Sequence, residues 1–315
     1  GGYVRQAYLD GLGMSEEGRG NPYKFGMVGA SDTHTGAISD DESNFTSKIG
    51  IFDGTPEGRG SAPLTGENLD LVLDAPIRQL TLKKIGDRYF NNAVFNQWGA
   101  SGLAAVWAEE NTRKSIFDAF KRKETYATSG TRIKLRFFAG YDLDESLLDA
   151  DDAVKQAYER GVPMGQDLKP SDGAQPSFLI WALRDKNSAP LQRVQVIKGW
   201  VDRITGKPNE KVIDVMCSDG LKPDPETKRC PDNGALVDIS DCSITSDVGA
   251  NELKTVWTDK SFDPSVKSFY YVRVLENPTC RWSTWDAIKT GNEPREDLKK
   301  TIQERAWSSP IWYSY

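Results

Sequence analysis

Apolar residues near the start of the chain recur at helical spacing. Residues 4–12 follow this period and run into Gly11 and Gly13, which predicts the end of a helix. The apolar run 25–30 predicts a short buried strand that ends in a polar loop. Residues 36–70 are rich in Gly, Ser, Asp and Thr and predict a long loop over the surface. Residues 69–107 mix both periods and predict no single element.

A second helix is predicted after residue 109. The apolar positions within residues 116–120 form one face of it, and Asn111 or Thr112 is expected to cap its first turn. The basic residues 121–123 suit the C-terminal end of the helix dipole and predict a solvated helix end.

The hydrophobic period changes from 3.6 to 2 after Glu124. Alternating patterns predict strands at residues 125–128, 132–138, 177–183, 193–199, 211–216 and 268–275. One further helix is predicted at residues 149–160. Short strands separated by turn residues are typical of a β-sandwich.

Composition narrows the class of protein. A chain of 315 residues is long enough for about two domains. Its net charge of −6 argues against sequence-independent binding to nucleic acid or to an anionic membrane, because both need a basic face. No apolar run approaches about 18 residues, so we expect no membrane span. The chain starts at Gly1 without an initiator methionine or a signal peptide, which we interpret as a processed or truncated product.

All four cysteines lie in the last third of the chain, and four cysteines allow three pairings. We favour Cys217 with Cys230, which closes a Pro- and Asp-rich loop, and Cys242 with Cys280. A zinc cluster is disfavoured because no Cys-x-x-Cys pair exists and no histidine lies nearby. Two disulfides predict a periplasmic or extracellular location, and four reduced buried thiols are the alternative.

The only histidine of the chain, His34, stands two positions after Asp32. On an extended segment both side chains point to the same side and can reach one ion. Equally, His34 can simply bond Asp32 and order a turn. Spacing alone leaves both interpretations open.

Five stretches of the sequence resemble one known family. It is the mostly bacterial family called domain of unknown function 3604, whose members look like relatives of the polymerase and histidinol phosphatase (PHP) metallophosphoesterases. The stretches are residues 4–12 (VRQAYLDGL), 29–36 (GASDTHTG), 106–113 (VWAEENTR), 126–133 (YATSGTRI) and 302–313 (IQERAWSSPIWY).

The resemblance implies an α/β plus β fold. Residues 1–130 are expected to form the C-terminal part of a PHP-like distorted (β/α) barrel with a long inserted loop, and residues 131–315 a β-sandwich-like domain. Asp32 and His34 then become metal ligands, in a centre that would hold two or three Zn, Mn or Fe ions. The other ligand histidines of such enzymes are absent from this sequence. We therefore expect a missing N-terminal segment of the same protein to supply the remaining ligands.

The function expected from this resemblance is that of a secreted metal-dependent hydrolase of the phosphoesterase type, acting on a small anionic substrate. Arg5, Arg113 and Arg132 are candidates for binding the substrate anion, although each also suits a structural ion pair. Glu109 and Glu110 are candidates for orienting a ligand histidine. The alternative is a non-catalytic envelope or extracellular protein that binds a glycan or a protein partner, with exposed aromatic residues as its platform.

Overall fold

The computed structural model describes residues 3–92, 97–171 and 173–315. Its helices are α1 (Val4–Glu16), α2 (Gly66–Leu73), α3 (Pro76–Gln79), α4 (Arg113–Arg122), α5 (Ala153–Arg160) and α6 (Trp282–Lys289). Its strands are β1 (Leu82–Ile85), β2 (Arg88–Asn91), β3 (Leu103–Val106), β4 (Thr125–Thr128), β5 (Lys134–Gly140), β6 (Gly161–Pro163), β7 (Asp167–Leu168), β8 (Ser177–Leu183), β9 (Leu191–Val201), β10 (Pro208–Cys217), β11 (Glu252–Thr258), β12 (Ser268–Cys280), β13 (Thr301–Ser308) and β14 (Ile311–Tyr313).

Two β-sheets form the centre of the molecule. The large sheet has the order β10-β9-β12-β13-β4-β3, with β14 on β12 and β7 on β14, and the small sheet has the order β11-β8-β5-β6. The sheets share one hydrophobic core, in which Phe178 of the small sheet lies 4.5 Å from Tyr270 of the large sheet between ring centroids. Alternating apolar residues on both inner faces therefore build two packed β layers, as the period-2 pattern indicates.

Helices cover parts of the two outer faces. Tyr8, Leu9 and Leu12 of α1 pack on the outer face of the large sheet around Phe269. On the outer face of the small sheet, Ala157 of α5 and a short 3-10 turn at residues 145–149 complete a second cluster. Residues 4–12 are helical as predicted, but helix α1 does not end there and continues past Gly11 and Gly13 to Glu16.

The PHP-like barrel is not confirmed. The described residues form no closed barrel, and β3 pairs with β4 in antiparallel fashion. A (β/α) barrel needs parallel strands joined by helices, whereas β4 pairs with β13 from the far end of the chain. Strands on both sides of residue 130 thus belong to one sheet, and the division into residues 1–130 and 131–315 stays a prediction.

Residues 25–30 do not form the buried strand that their composition predicts. They have no strand partner, and the side chains of Phe25 and Val28 are 39% and 48% exposed. The reason is that side chains satisfy this backbone: Met27 N donates to Ser309 Oγ at 2.7 Å, and Thr125 Oγ1 donates to Met27 O at 2.9 Å. The segment is extended and held against the large sheet without joining it.

Helix α4 is capped as predicted, since Thr112 Oγ1 accepts a hydrogen bond from Ser115 N at 3.3 Å. Its apolar face is less buried than the pattern indicates. Ala119 is fully buried, but Phe117 is 61% exposed, and Phe120 is also exposed. The hydrophobic period predicted the helix correctly. The buried fraction of its apolar face is smaller than the pattern indicates.

Both predicted disulfides are confirmed. Cys217 is bonded to Cys230, and Cys242 is bonded to Cys280. The first bond closes a loop beside β10, and the second ties the segment before β11 to the end of β12. No helix of the described residues is long and apolar enough to cross a membrane.

Candidate functional site

The loop that carries Asp32 and His34 begins where residues 25–30 cross the ends of β3 and β4. A Cβ atom on Gly29 would lie 2.5 Å from the backbone oxygen of Leu103 and 2.8 Å from that of Thr128. Only glycine permits this approach without displacing backbone. The close contact fixes the point from which the polar loop departs.

Asp32 and His34 lie side by side at the surface. His34 Nε2 is 3.7 Å from Asp32 Oδ1, and the two side chains are 63% and 90% exposed, respectively. Asp32 adopts a left-handed backbone conformation with φ 51°, which is uncommon for residues other than glycine although Asp is enriched there. The structure therefore brings the two predicted ligands together and leaves them accessible.

Lys48 stabilises this loop through two hydrogen bonds. Its backbone oxygen accepts a hydrogen bond from His34 N at 2.7 Å, and its Nζ donates to Ser31 O at 2.9 Å. The carboxylate of the fully buried Asp53 accepts hydrogen bonds from Lys48 N and Ile49 N. Burial lowers the pKa of the Lys48 ammonium, and the charges of Asp32, Glu42 and Asp53 oppose that effect. The loop that carries Asp32 and His34 is thus held in place by hydrogen bonds to Lys48, which is itself bonded to Asp53.

The donor set of this loop fits part of a metal centre. One carboxylate oxygen and one imidazole nitrogen are suitable ligands for Zn, Mn or Fe, and each faces the same side. Catalytic zinc sites use three protein ligands. The described residues contain no group of three or more His, Cys, Asp or Glu side chains that could hold an ion. Asp32 and His34 can therefore fill two coordination positions, and further donors are needed.

The three arginines proposed for the substrate anion are not brought together. Arg5 lines a cleft of about 470 Å³ beside residues 27–30 and pairs with Glu210 at 2.7 Å. Arg132 pairs with Asp40 at 3.2 Å in a different, acidic cleft, and Arg113 is exposed at the first turn of α4. Among these three, only Arg5 shares a cleft with the segment that leads into the Asp32–His34 loop.

Glu109 and Glu110 both lie at the N-terminal end of α4. Glu109 accepts a hydrogen bond from Ser115 Oγ at 2.9 Å and pairs with Arg122 at 3.0 Å. Bonds from its own backbone N–H and from Ser115 lower the pKa of the Glu109 carboxyl. Glu110 N donates to Ser115 Oγ at 3.2 Å. These contacts order the start of α4, and none of them involves His34.

A cluster of buried carboxyls was not predicted from the sequence. Glu304 of β13 lines a cleft of about 460 Å³ together with Glu42. Burial, reinforced by the charge of Glu42, raises the pKa of Glu304 to about 8, and burial raises the pKa of the neighbouring Glu276 to about 7. Residues 301–308 do not alternate polar and apolar side chains, because three polar residues follow one another at 303–305, so no clear sequence signal indicates a strand with Glu304 on its inner side.

Comparison with known proteins places the chain in a family without assigning an activity. No curated protein and no solved structure matches it. The resemblance to PHP enzymes therefore gains no support from relatives. One family model, described as "Protein of unknown function (DUF3604)", matches residues 1–315. Since that match spans every residue of the sequence, the chain belongs to the DUF3604 family.

Proposed function

We propose that this protein is a secreted, metal-dependent hydrolase of phosphoesters whose ions are held partly by Asp32 and His34. The observation that supports the proposal is the pairing of the chain's only imidazole with an accessible carboxylate at 3.7 Å on a well-supported loop. Neither side chain is committed to the hydrophobic core, and both remain available to an ion.

The remaining ligands are proposed to come from an N-terminal segment of the same protein outside residues 1–315. Residues 25–30 pair with no described strand and expose Phe25 and Val28, although Met27 N and Met27 O are bonded to Ser309 and Thr125. Exposed apolar side chains on one segment are a surface that another segment can cover. A strand added along this segment would cover both apolar side chains and bring its own donors next to Asp32 and His34.

A bound Zn, Mn or Fe ion would lower the pKa of a coordinated water and neutralise charge on the oxygens of a phosphate ester. In this arrangement the Asp32 carboxylate and the His34 imidazole would hold the ion. Arg5, which lies in the cleft beside residues 27–30, is the best placed of the three candidate arginines to orient the ester's anionic group.

The two disulfides support the secreted part of the proposal, because such bonds persist in the periplasm or outside the cell. The alternative of a non-catalytic binding protein has less to support it. All nine tryptophans are buried or half-buried, and the most exposed aromatic residues, Tyr3, Phe52 and Phe117, lie on separate elements of the chain.

Hydrolysis of a chromogenic phosphomonoester by the natural full-length protein tests the proposal. We expect activity after reconstitution with Zn, Mn or Fe, loss on chelation, and a decrease of at least about a hundredfold in the variants Asp32→Asn and His34→Gln. Asn tolerates the left-handed conformation of residue 32, so the first variant removes the charge without forcing the backbone to move.

Asp219→Asn is the matched control, since Asp219 also has a left-handed backbone, with φ 57°, in a different loop. This variant should retain the activity. A folded, metal-replete protein that hydrolyses no phosphoester, or one whose activity survives in both Asp32→Asn and His34→Gln, would contradict the proposal and favour the binding protein.

A further inference from the structure

The outer face of the large sheet carries arginines where α1 does not cover it. Strand register places Arg193 of β9 opposite Leu275 of β12, and Leu275 opposite Arg305 of β13. Cross-strand partners project from the same face of a sheet. Arg193 and Arg305 therefore flank Leu275 on one face, two strands apart.

These two arginines form part of the floor of a cavity of about 910 Å³. Arg281 and Lys299 add two more cationic side chains to its lining. Two carboxylates, Asp232 and Asp297, also line the cavity. Asp297 already forms ion pairs with Arg295 and Lys83, each at 2.8 Å. The cavity is thus cationic in a protein whose net charge is −6.

The guanidinium of Arg193 is only partly compensated. Its Nε is buried and has no hydrogen-bond partner among the described residues. The carboxylate of Asp214 lies 3.9 Å from that Nε, but it already accepts hydrogen bonds from Gln195 Nε2 and Cys230 N. Arg193 thus shares with Arg229 a carboxylate that other groups already use, and its charge is not fully paired within the described residues.

Arg305 is in a similar position. In the described part of the chain no carboxylate forms an ion pair with it, and its Nε donates to the backbone oxygen of Gln303 at 3.0 Å. Burial lowers the pKa of the Arg305 guanidinium, the charge of Glu304 opposes that effect, and the like charge of Arg193 adds to it. Two half-buried cations close enough to repel each other favour an anion between them.

We propose that this cavity binds a small polar organic molecule through its phosphate or sulfate group, with Arg193 and Arg305 as the direct donors. Guanidinium groups match tetrahedral oxyanions by forming two parallel hydrogen bonds. A volume of about 910 Å³ exceeds that of a bare ion and lies within the range of small-molecule sites. Trp98, Gln192 and Gln303 supply aromatic and amide surface for the rest of the ligand.

This site is separate from the Asp32–His34 pair, because neither residue lines the cavity. It also needs no metal. The test therefore uses the full-length protein in the presence of EDTA, with inorganic phosphate and inorganic sulfate as the probes. Calorimetric titration and thermal unfolding are compared with chloride at the same ionic strength, so that general screening is subtracted.

We expect phosphate or sulfate to bind and to raise the Tm above the chloride control. The variants Arg193→Gln and Arg305→Gln should each weaken that binding by about tenfold or more, because each removes a charge-assisted donor. Comparing the two anions identifies the preferred oxyanion. The control is Arg160→Gln, an exposed arginine at the end of α5 on the other side of the molecule, which should bind as the parent does.

Circular dichroism shows whether each variant is folded. If Arg193→Gln does not fold, Arg193→Lys, which keeps the positive charge, takes its place. Lysine cannot reproduce the two parallel bonds and should also weaken binding. Equal effects of phosphate, sulfate and chloride would overturn the inference. So would unchanged affinity in folded Arg193 and Arg305 variants. Because EDTA is present throughout, these outcomes are independent of whether the protein is a metallohydrolase.

Discussion

Glu304 lies in an environment that differs strongly from water. It is buried on β13, accepts a hydrogen bond from Ser129 Oγ, and lies near two other buried glutamates, Glu42 and Glu276. Burial is the main cause that raises its pKa from 4.5 to about 8. The folded protein therefore holds a proton on Glu304 at neutral pH that the unfolded chain releases.

The sign of the pH dependence follows from this proton. Because the folded state binds it more tightly, the contribution of Glu304 to stability is full below about pH 4.5 and is lost as the pH rises to about 8. Glu304→Gln should remove that dependence, so the variant should gain stability relative to the parent by on the order of a few kcal/mol over this interval. Urea unfolding of both proteins across the interval measures the difference, and a difference that does not change with pH would contradict the assignment.

Two glycines on neighbouring segments are expected to respond oppositely to the same substitution. Gly29→Ala places a methyl group against the backbone of Leu103 and Thr128 and should cost about 1–3 kcal/mol. Gly13→Ala in α1 meets nothing within 4 Å and should add about 0.5–1 kcal/mol, because alanine favours the helix. Thermal unfolding of the two variants compares them. Equal changes of the same sign would show that residues 25–30 do not pack as closely as described.

At the scale of elements, the two disulfides differ in the length of chain they close. The bonded cysteines are separated by 13 residues in Cys217–Cys230 and by 38 residues in Cys242–Cys280. Loop-closure entropy then predicts that replacing the second pair by alanine costs about 1 kcal/mol more than replacing the first. Urea unfolding of the two double variants gives both values. A larger loss for Cys217 and Cys230 would mean that the loop beside β10 contributes packing beyond its closure entropy.

The sequence predicted strands well where long apolar runs are buried and bounded by turn residues. Alternation located β8 at residues 177–183 and the centres of β9, β10 and β12, and Thr112 was recognised as a cap. It failed where side chains replace strand pairing, as at residues 25–30, whose backbone bonds to Ser309 and Thr125 from distant parts of the chain. Strands β11 and β13 were missed because half-buried lysine, arginine and glutamine occupy outer positions that interrupt the apolar pattern.

At the scale of the whole molecule, one candidate site is formed by residues close in sequence, and the others are formed by residues that only the fold brings together. Asp32 and His34 are two positions apart, so the sequence could pair them, and the structure leaves them facing each other. The arginine cavity joins Arg193 of β9 to Arg305 of β13, which are neighbours only through the register of β12. No local sequence pattern reveals which strands pair in this register. The cleft that Glu42 and Glu304 share is likewise formed by residues far apart in the sequence.

The large sheet also contains strands from the N-terminal part of the chain. Strands β3 and β4 enter the sheet next to β13, and Tyr126 of β4 lies in the shared core. The Asp32–His34 loop is thereby anchored on the same layer that carries the arginines. A metal centre completed at this loop would be attached to the rest of the protein through β3 and β4.

The central claim is that Asp32 and His34 hold a metal ion, and the metal content of the natural full-length protein tests it most directly. The protein is purified after growth with Zn, Mn and Fe, and its metals are counted by mass spectrometry alongside the Asp32→Asn/His34→Gln double variant and Asp219→Asn. We predict a stoichiometric transition metal in the parent and in Asp219→Asn, and its loss from the double variant. A folded parent without metal, or a double variant that keeps the full content, would contradict the claim.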